Sequence, residues 1–396
     1  MAIRSKRLPI PGPIDFVDFF SGCGGMSYGF ERIGQTTGYY RWVGAFDIDK
    51  YANQTYLHNF GRMPSAIDLS GDVFAKVNRV IRRNGHQGSA PLLAIGCAPC
   101  QGFSSHKKKD KRLDDRNSLV ARFAEMAVAL NPVMILMENV PDLLARKHWH
   151  HFVRFREIVE GAGYKINADI VNMAEYGVPQ ERFRAVVLAS RDFEPLLPLA
   201  LVPRAQFQTV REAIGHLPPL SPFGGADPND AMHRTSRHRQ ETVEIIKQIP
   251  KDGGSRPRGV GPKCLDKVNG FYDVYGRLWW DRPAITITAR CRTPSCGRFV
   301  HPSQDRGLSI REAALLQGFP HDFYFSGPFD DCYKQIGNAV PPPFSVAMAN
   351  HLRSFLLGEN AHGRVGKVSF QNPGFESYSV LIAHHKIQHL SRRLGR

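Results

Sequence analysis

The first 190 residues alternate short apolar runs with helix-length stretches, and this pattern constrains the fold more than any other feature. IDFVDFF (Ile14 to Phe20), RWVGAF (Arg41 to Phe46), LLAIG (Leu92 to Gly96) and PVMILM (Pro132 to Met137) read as buried strands. The Ser21 to Gly25 turn leads into a helix through Phe30, and Lys50 to Phe60 has helical character. Strands separated by helices need crossover connections, so the expected product is an α/β fold: an open, mostly parallel sheet with helices on both faces. Ile166 to Asn172 and Arg184 to Ala189 read as an antiparallel or edge pair. Chemistry in such sheets gathers at the carboxyl ends of the strands. Asp47, Cys100 and Glu138 all fall just beyond expected strand ends.

From about Pro195 the texture changes to Pro, Gly, His and Arg, which predicts a separate, loop-rich domain. Helical pattern returns at Ser309 to Gln317 and again after Pro343. The 52 Lys and Arg against 36 Asp and Glu leave a formal charge of +16, which favours an anionic partner. No basic amphipathic helix with a clean apolar face is evident, and no run approaches the ~18 apolar residues of a membrane span. Prolines 9, 11 and 13 with Asp15 and Asp18 break up any signal-peptide core. Seven scattered cysteines argue against a secreted disulfide scaffold and for a reducing compartment. A cytoplasmic, nucleoid-associated protein with no membrane partner is the expectation.

Four motifs carry the chemistry. Phe19-Phe-Ser-Gly-Cys-Gly-Gly25 follows a strand, and Asp47 stands 25 residues past Gly22, close to the spacing of a nucleotide-binding unit. Its glycines do not match those that cradle a dinucleotide pyrophosphate. A nucleoside without phosphates, S-adenosylmethionine above all, suits the loop better, with Asp47 accepting from a ribose diol; a tight turn needing positive φ is the plain alternative. Gly96-Cys-Ala-Pro-Cys-Gln-Gly-Phe-Ser104 contains a Cys-x-x-Cys pair. A zinc site would need two further ligands, and Cys291 and Cys296 have the wrong spacing; no thioredoxin-like continuation follows. No metal is expected, and a nucleophilic Cys100 on a loop after a strand explains more. Met137-Glu-Asn-Val140 ends an apolar strand with a carboxyl whose burial would keep it protonated. Gln180-Glu-Arg-Phe-Arg184 alternates, so that Arg182 and Arg184 share a face.

FSGCGG, GCAPCQGFS, ENV, QERFR, REAALLQGFP (Arg311 to Pro320) and QIGNAVPPP (Gln335 to Pro343), in this order, resemble the DNA cytosine-5 methyltransferase family over roughly residues 14 to 190 and 282 to 357. The resemblance implies a Rossmann-like S-adenosylmethionine-dependent methyltransferase fold with a smaller, loop-rich target-recognition domain. The division expected is a catalytic domain over 1–190 completed by 335–357, target recognition over 191–295, a hinge and helix over 296–334, and a basic extension over 358–396. By similarity to the family, Cys100 attacks carbon 6 of a cytosine swung out of duplex DNA. Glu138 acts at ring nitrogen 3, Arg184 at the carbonyl oxygen, and Arg182 supports the loop and the acid. The cofactor positions implied are Phe20, Ser21, Gly22, Gly24, Gly25, Asp47, Ile48, Asp68, Leu69, Pro99, Leu119, Asn338 and Val340. Asp47 falls on the ribose and Asp68 near the adenine amino group. Ala98 stands where a proline or bulkier residue is common, and Cys97 reads as packing.

Ser104, Lys107, Lys108, Lys109, Lys111 and Arg112 lie on the loop that closes over DNA in the family. Arg234, Arg237 and Arg239, in the stretch beginning at His233, and Arg290, Arg292 and Arg298 are further DNA-contact candidates. Trp279 and Trp280 read as core rather than stacking platforms. The partners expected are duplex DNA and a cognate restriction endonuclease acting on the same site, with the chain itself a monomer. The sister activity on transfer RNA, and a catalytically silent DNA-binding module, are the alternatives.

Overall fold

The computed structural model describes residues 9–99, 119–266, 273–359, 362–368 and 377. Among these, six strands form one sheet: β1 (Ile14–Phe19), β2 (Tyr40–Phe46), β3 (Leu92–Gly96), β4 (Met134–Asn139), β5 (Lys165–Asn172) and, after the short β6 (Gln180–Glu181), β7 (Phe183–Ser190). Their order is β2-β1-β3-β4-β7-β5. The pairings among β1 to β4 are parallel, and β7 runs antiparallel to both neighbours, as the expected antiparallel pair required. The order reverses beside β1, so the crevice above the carboxyl ends of β1 and β3 is where an open α/β sheet accepts a ligand.

Strand β4 differs from expectation. It does not stop at Met137 but continues through Glu138 and Asn139, because β7 offers partners beyond the end of β3: Glu138 pairs with Val186 and Asn139 with Ala185. Helix α1 (Gly25–Thr37) also outruns the expected end at Phe30; Ile33 keeps it on the core, and Gly38, at φ 69°, ends it. Helix α2 (Lys50–Phe60) is capped by Asp49, whose side chain accepts from the N–H groups of Tyr51 and Ala52.

Two apolar layers sandwich the sheet. One face carries α3 (Phe74–Arg83), α4 (Leu119–Leu130) and α5 (Trp149–Gly161), around Phe123, Phe152 and Phe155. The other carries α1 and a helix supplied from far along the chain, Pro342–Leu356. Small residues allow that closure: a Cβ on Gly29 would come within 2.2 Å of the Ser345 backbone, and the Gly29 N–H donates to Ser345 Oγ at 2.9 Å.

The loop-rich region contributes β8 (Leu197–Pro198), α6 (Val210–Ile214), β9 (Ala226–Asp227), β10 (Asp230–Arg234), α7 (Gln240–Lys247), β11 (Ala284–Ile285), α8 (Ile310–Leu316) and α9 (Phe329–Asn338), after which the returning helix is α10. It has its own core around Leu278, Phe299, Leu316 and Tyr333. Buried ion pairs stiffen it. Arg306 grips Glu312 through two 2.7 Å bonds, and although burial pushes the Glu312 carboxyl up, that guanidinium overrides it and holds the pKa at about 2. No described helix is long and apolar enough to cross a membrane.

Candidate active site

The loop after β1 turns sharply. Phe20, Gly22 and Gly24 all have positive φ, at 59°, 53° and 92°. The glycines do different work. A Cβ on Gly24 would strike the Phe60 ring at 2.3 Å and one on Gly25 the Val340 carbonyl at 2.2 Å, so these two serve close packing; only at Gly22 is the space beyond the backbone open. The Gly22 N–H donates to Asp47 Oδ2 at 2.8 Å, and the Asp49 N–H donates to Oδ1 at 2.8 Å. Burial pushes the Asp47 carboxyl upward, with these two N–H groups opposing. Each oxygen keeps a lone pair for a further donor.

Ser21 Oγ is buried with no hydrogen-bond partner among the described residues, while Ile48 stands 67% exposed beyond β2. A buried hydroxyl without a partner, a held carboxylate and an uncovered apolar side chain fit a nucleoside whose ribose reaches Asp47 and whose base lies on Ile48. Phe20 and Leu119 are half-buried against the core, and Leu69 is buried. Asp68 is exposed and accepts from the Ser70 N–H at 3.0 Å. Val340 is buried and Asn338 exposed.

Glu138 is buried at the carboxyl end of β4. Burial pushes its carboxyl up from the ordinary range, opposed first by Arg184 and then by Arg182. Arg184 Nε lies 3.1 Å from Glu138 Oε1 as an ion pair, and Oε1 receives no well-aligned hydrogen bond from the described residues. An acid so placed has an oxygen ready for a substrate atom. The next residue, Asn139, donates from Nδ2 to Ala98 O at 3.2 Å and accepts from the Val140 N–H. It therefore ties the end of β4 to the loop that carries Pro99 and leads to Cys100. Cys97 packs against the second apolar layer, as expected, and burial drives its thiol pKa well up. Cys100 itself lies outside the described residues, as do Ser104, Lys107, Lys108, Lys109, Lys111 and Arg112.

Arg182 is fully buried and works as a clamp. It donates to Ile287 O at 2.9 Å, Gly337 O at 3.1 Å and Ala339 O at 3.2 Å, joining the sheet to the loop-rich domain and to the segment that precedes α10. Two glutamines extend the joint: Gln180 donates to Leu316 O and to Gln317 Oε1 and accepts from the Ile287 N–H, and Gln317 donates to Ala339 O. Sequence reasoning assigned no role to Asn139, Gln180 or Gln317, although each stood inside a quoted motif.

Of the arginines expected to meet DNA, Arg237, Arg239 and Arg290 are exposed. Arg234 and Arg292 are half-buried over the Phe329 ring, and Arg292 also pairs with Asp330. Arg298 requires a correction. It is 3% exposed, paired with Asp273, bonded to the carbonyls of Gly253, Gly254 and Arg277 and stacked on Trp279, so it holds the domain together rather than facing a nucleic acid. His233 is likewise buried between Ser309 and Pro218. Trp279 and Trp280 are half-buried, in keeping with a packing role.

Residues 14–354 match the family model for C-5 cytosine-specific DNA methylases. The chain belongs to that family. Similar proteins include the Type II methylase M.HgiDII of Herpetosiphon aurantiacus, 32% identical over 88% of this chain and 98% of the relative. The Type II methyltransferase M1.HphI of Haemophilus parahaemolyticus is 31% identical over 87% and 88%. Among solved structures, a prophage-encoded DNA modification methyltransferase from E. coli superposes with a TM-score of 0.65 at 23% identity, covering 87% of this chain and 99% of that one. The S. pombe Dnmt2 methyltransferase gives 0.57 at 18%, covering 86% and 98%. This C-5 cytosine-specific methylase uses S-adenosylmethionine.

Proposed function

We propose that the methylase acts through Cys100 on a cytosine extruded from duplex DNA, with Glu138 as the acid at ring nitrogen 3. The observation that carries this reading is the buried Glu138, its Oε1 beside Arg184 and its neighbour Asn139 bound to the backbone two residues before Cys100. Carbon 5 of cytosine is a poor nucleophile until the ring gains electron density. The Cys100 thiolate bonds to carbon 6, the ring's electrons move toward nitrogen 3, and the proton that Glu138 places there prevents charge from building up. Arg184 is positioned for the carbonyl oxygen of the base, and Arg182 fixes the strand entry from which Arg184 projects. Bound S-adenosylmethionine would supply the methyl group for carbon 5 from its sulfonium centre, leaving neutral S-adenosylhomocysteine. Loss of the carbon 5 proton to water then permits elimination of the thiol.

The cofactor set proposed is Phe20, Ser21, Gly22, Asp47, Ile48, Asp68, Leu69, Pro99, Leu119, Asn338 and Val340, with Gly24 and Gly25 acting through the loop's packing. The proposed DNA face comprises the basic loop from Ser104 to Arg112 together with Arg234, Arg237, Arg239, Arg290 and Arg292. Relatives named as Type II methylases support a place in restriction and modification; the proposal adds an endonuclease acting on the same site and a monomeric chain in the cytoplasm.

Incubation with methyl-labelled S-adenosylmethionine and either genomic DNA or total transfer RNA tests the substrate. Label is expected in DNA; label confined to transfer RNA would overturn the reading.

A further inference from the structure

Helix α5 carries its charges in the order that its own stability disfavours. A helix is positive at its amino end and negative at its carboxyl end, so acids suit the start and cations the finish. Here the first turn holds no acid and the last turn no cation. Arg146 and Lys147 stand exposed in the single turn Arg146–His148 that runs directly into α5, and the exposed His150 follows them. The acids come late: Glu157 pairs with Arg154 at 3.5 Å and Glu160 with Arg156 at 3.3 Å. Between Asp142 and Glu157 the sequence has no acid at all. His148 contributes packing rather than charge. It is buried, and burial, with Lys147 and His150 beside it, pushes its pKa down to about 4 against the opposing Asp142.

The two cations are also fixed near the catalytic acid. Strand β4 ends at Asn139 on the carboxyl-end face, where Glu138 lies, and the chain then takes the turn Pro141–Leu144, whose Leu143 and Leu144 are buried in the layer around Phe152. Arg146 and Lys147 come eight and nine residues after Glu138, so even a fully extended chain would keep them within about 30 Å of it. One DNA strand carries a phosphate every ~3.4 Å along the axis, which puts the pair within about nine base pairs of a cytosine held at Glu138. A local charge rule broken with no structural return marks a functional position. We propose that Arg146 and Lys147 form a phosphate clamp, which grips the DNA backbone beside the methylated cytosine and positions the duplex without reading its sequence. The clamp rests on the duplex-DNA reading above. The positive end of α5 repels the two cations from behind and adds to their attraction for an anion in front.

Three proteins test it: the full chain, the variant Arg146→Gln/Lys147→Gln, and a control, Arg79→Gln/Arg82→Gln, that removes the same charge from α3. Arg79 and Arg82 are exposed toward the end of α3 that leads to Gly85 and His86, which bond to Arg41 and Asp15 at the starts of β2 and β1, the opposite end of the sheet. Binding to a duplex with long flanks is measured from 50 to 200 mM salt, with methylation and thermal unfolding alongside. Each phosphate contact contributes ~0.9 to the slope of log affinity against log salt, so the clamp variant is expected to have a slope shallower by about 1.8 and the control an unchanged one. In the clamp variant the KM for DNA should rise, while the sequence methylated and the rate at saturating DNA hold. Its melting temperature should equal or exceed that of the full chain, because two cations have left the positive end of α5; a merely structural role predicts a lower one with the slope unchanged. An unchanged slope in the clamp variant, or an equal loss in the control, would overturn the clamp while leaving the methylase reading intact. A full chain that binds no duplex would instead refute that reading, and the clamp with it.

Discussion

Replacing Cys100 by Ala abolishes methylation, lowering the rate by more than about a thousandfold, while S-adenosylmethionine and duplex DNA still bind. The expectation follows from the ring chemistry. Without a covalent bond at carbon 6, carbon 5 has no means of becoming nucleophilic, and neither Glu138 nor Arg184 can supply that electron pair. The groups proposed to hold the cofactor lie on other elements: Gly22 follows β1, and Asp47 and Ile48 follow β2. Removing one sulfur should therefore leave cofactor affinity within about twofold, as equilibrium binding would show. A variant with unchanged turnover would mean that some other group activates the ring. Loss of cofactor binding together with turnover would mean that Cys100 matters to the fold rather than to the chemistry.

Glu138→Gln lowers the single-turnover rate by about 10² to 10⁴, the usual contribution of a positioned acid. The amide nearly preserves the shape of the side chain and its place between β4 and β7, so folding and DNA binding should persist. The pH profile adds a sharper test. Burial raises the folded pKa of Glu138 above that of an exposed glutamate, and Arg184 and Arg182 only partly counter it. The protonated form is thus present below that raised pKa and is lost as pH rises through it. The wild-type rate should fall along this alkaline limb, whereas the glutamine variant should lack it. The same sign applies to stability: a raised folded pKa favours the folded protein at low pH, and that contribution disappears as the carboxyl ionises. A wild-type limb retained in Glu138→Gln would assign the titration to another group.

The sheet was legible because its strands announce themselves as apolar runs closed by polar residues, and because crossover connections leave few topologies. Asp47 and Glu138 were legible for the same reason, as carboxyls at the ends of such runs. The extension of β4 through Glu138 was not, since it depends on how far the antiparallel neighbour β7, much later in the chain, reaches. Nor was the joint formed by Arg182, Gln180 and Gln317, in which Arg182 and Gln180 reach main-chain carbonyls more than 100 residues away and Gln317 closes the link on Ala339 O. Arg298 shows the limit from the other side. In a loop-rich stretch with high charge, a lone arginine reads as surface, and only the fold reveals that carbonyls, Asp273 and an indole ring surround it. The motif beginning at Arg311 was informative as a signature, but its chemistry is structural: Arg311 grips Asp230, and Glu312 both completes the Ser309 cap and neutralises Arg306.

Covalent trapping probes the thiol–cytosine bond itself. A duplex carrying 5-fluorocytosine at a confirmed target position allows addition and methyl transfer but blocks release, because fluorine cannot leave as a proton does. With S-adenosylmethionine present, the protein should migrate with the DNA on a denaturing gel, and peptide mapping should place the attachment at Cys100. If no adduct forms, or if it forms at another residue, while the unmodified duplex is methylated normally in parallel, the mechanism proposed for this methylase is wrong.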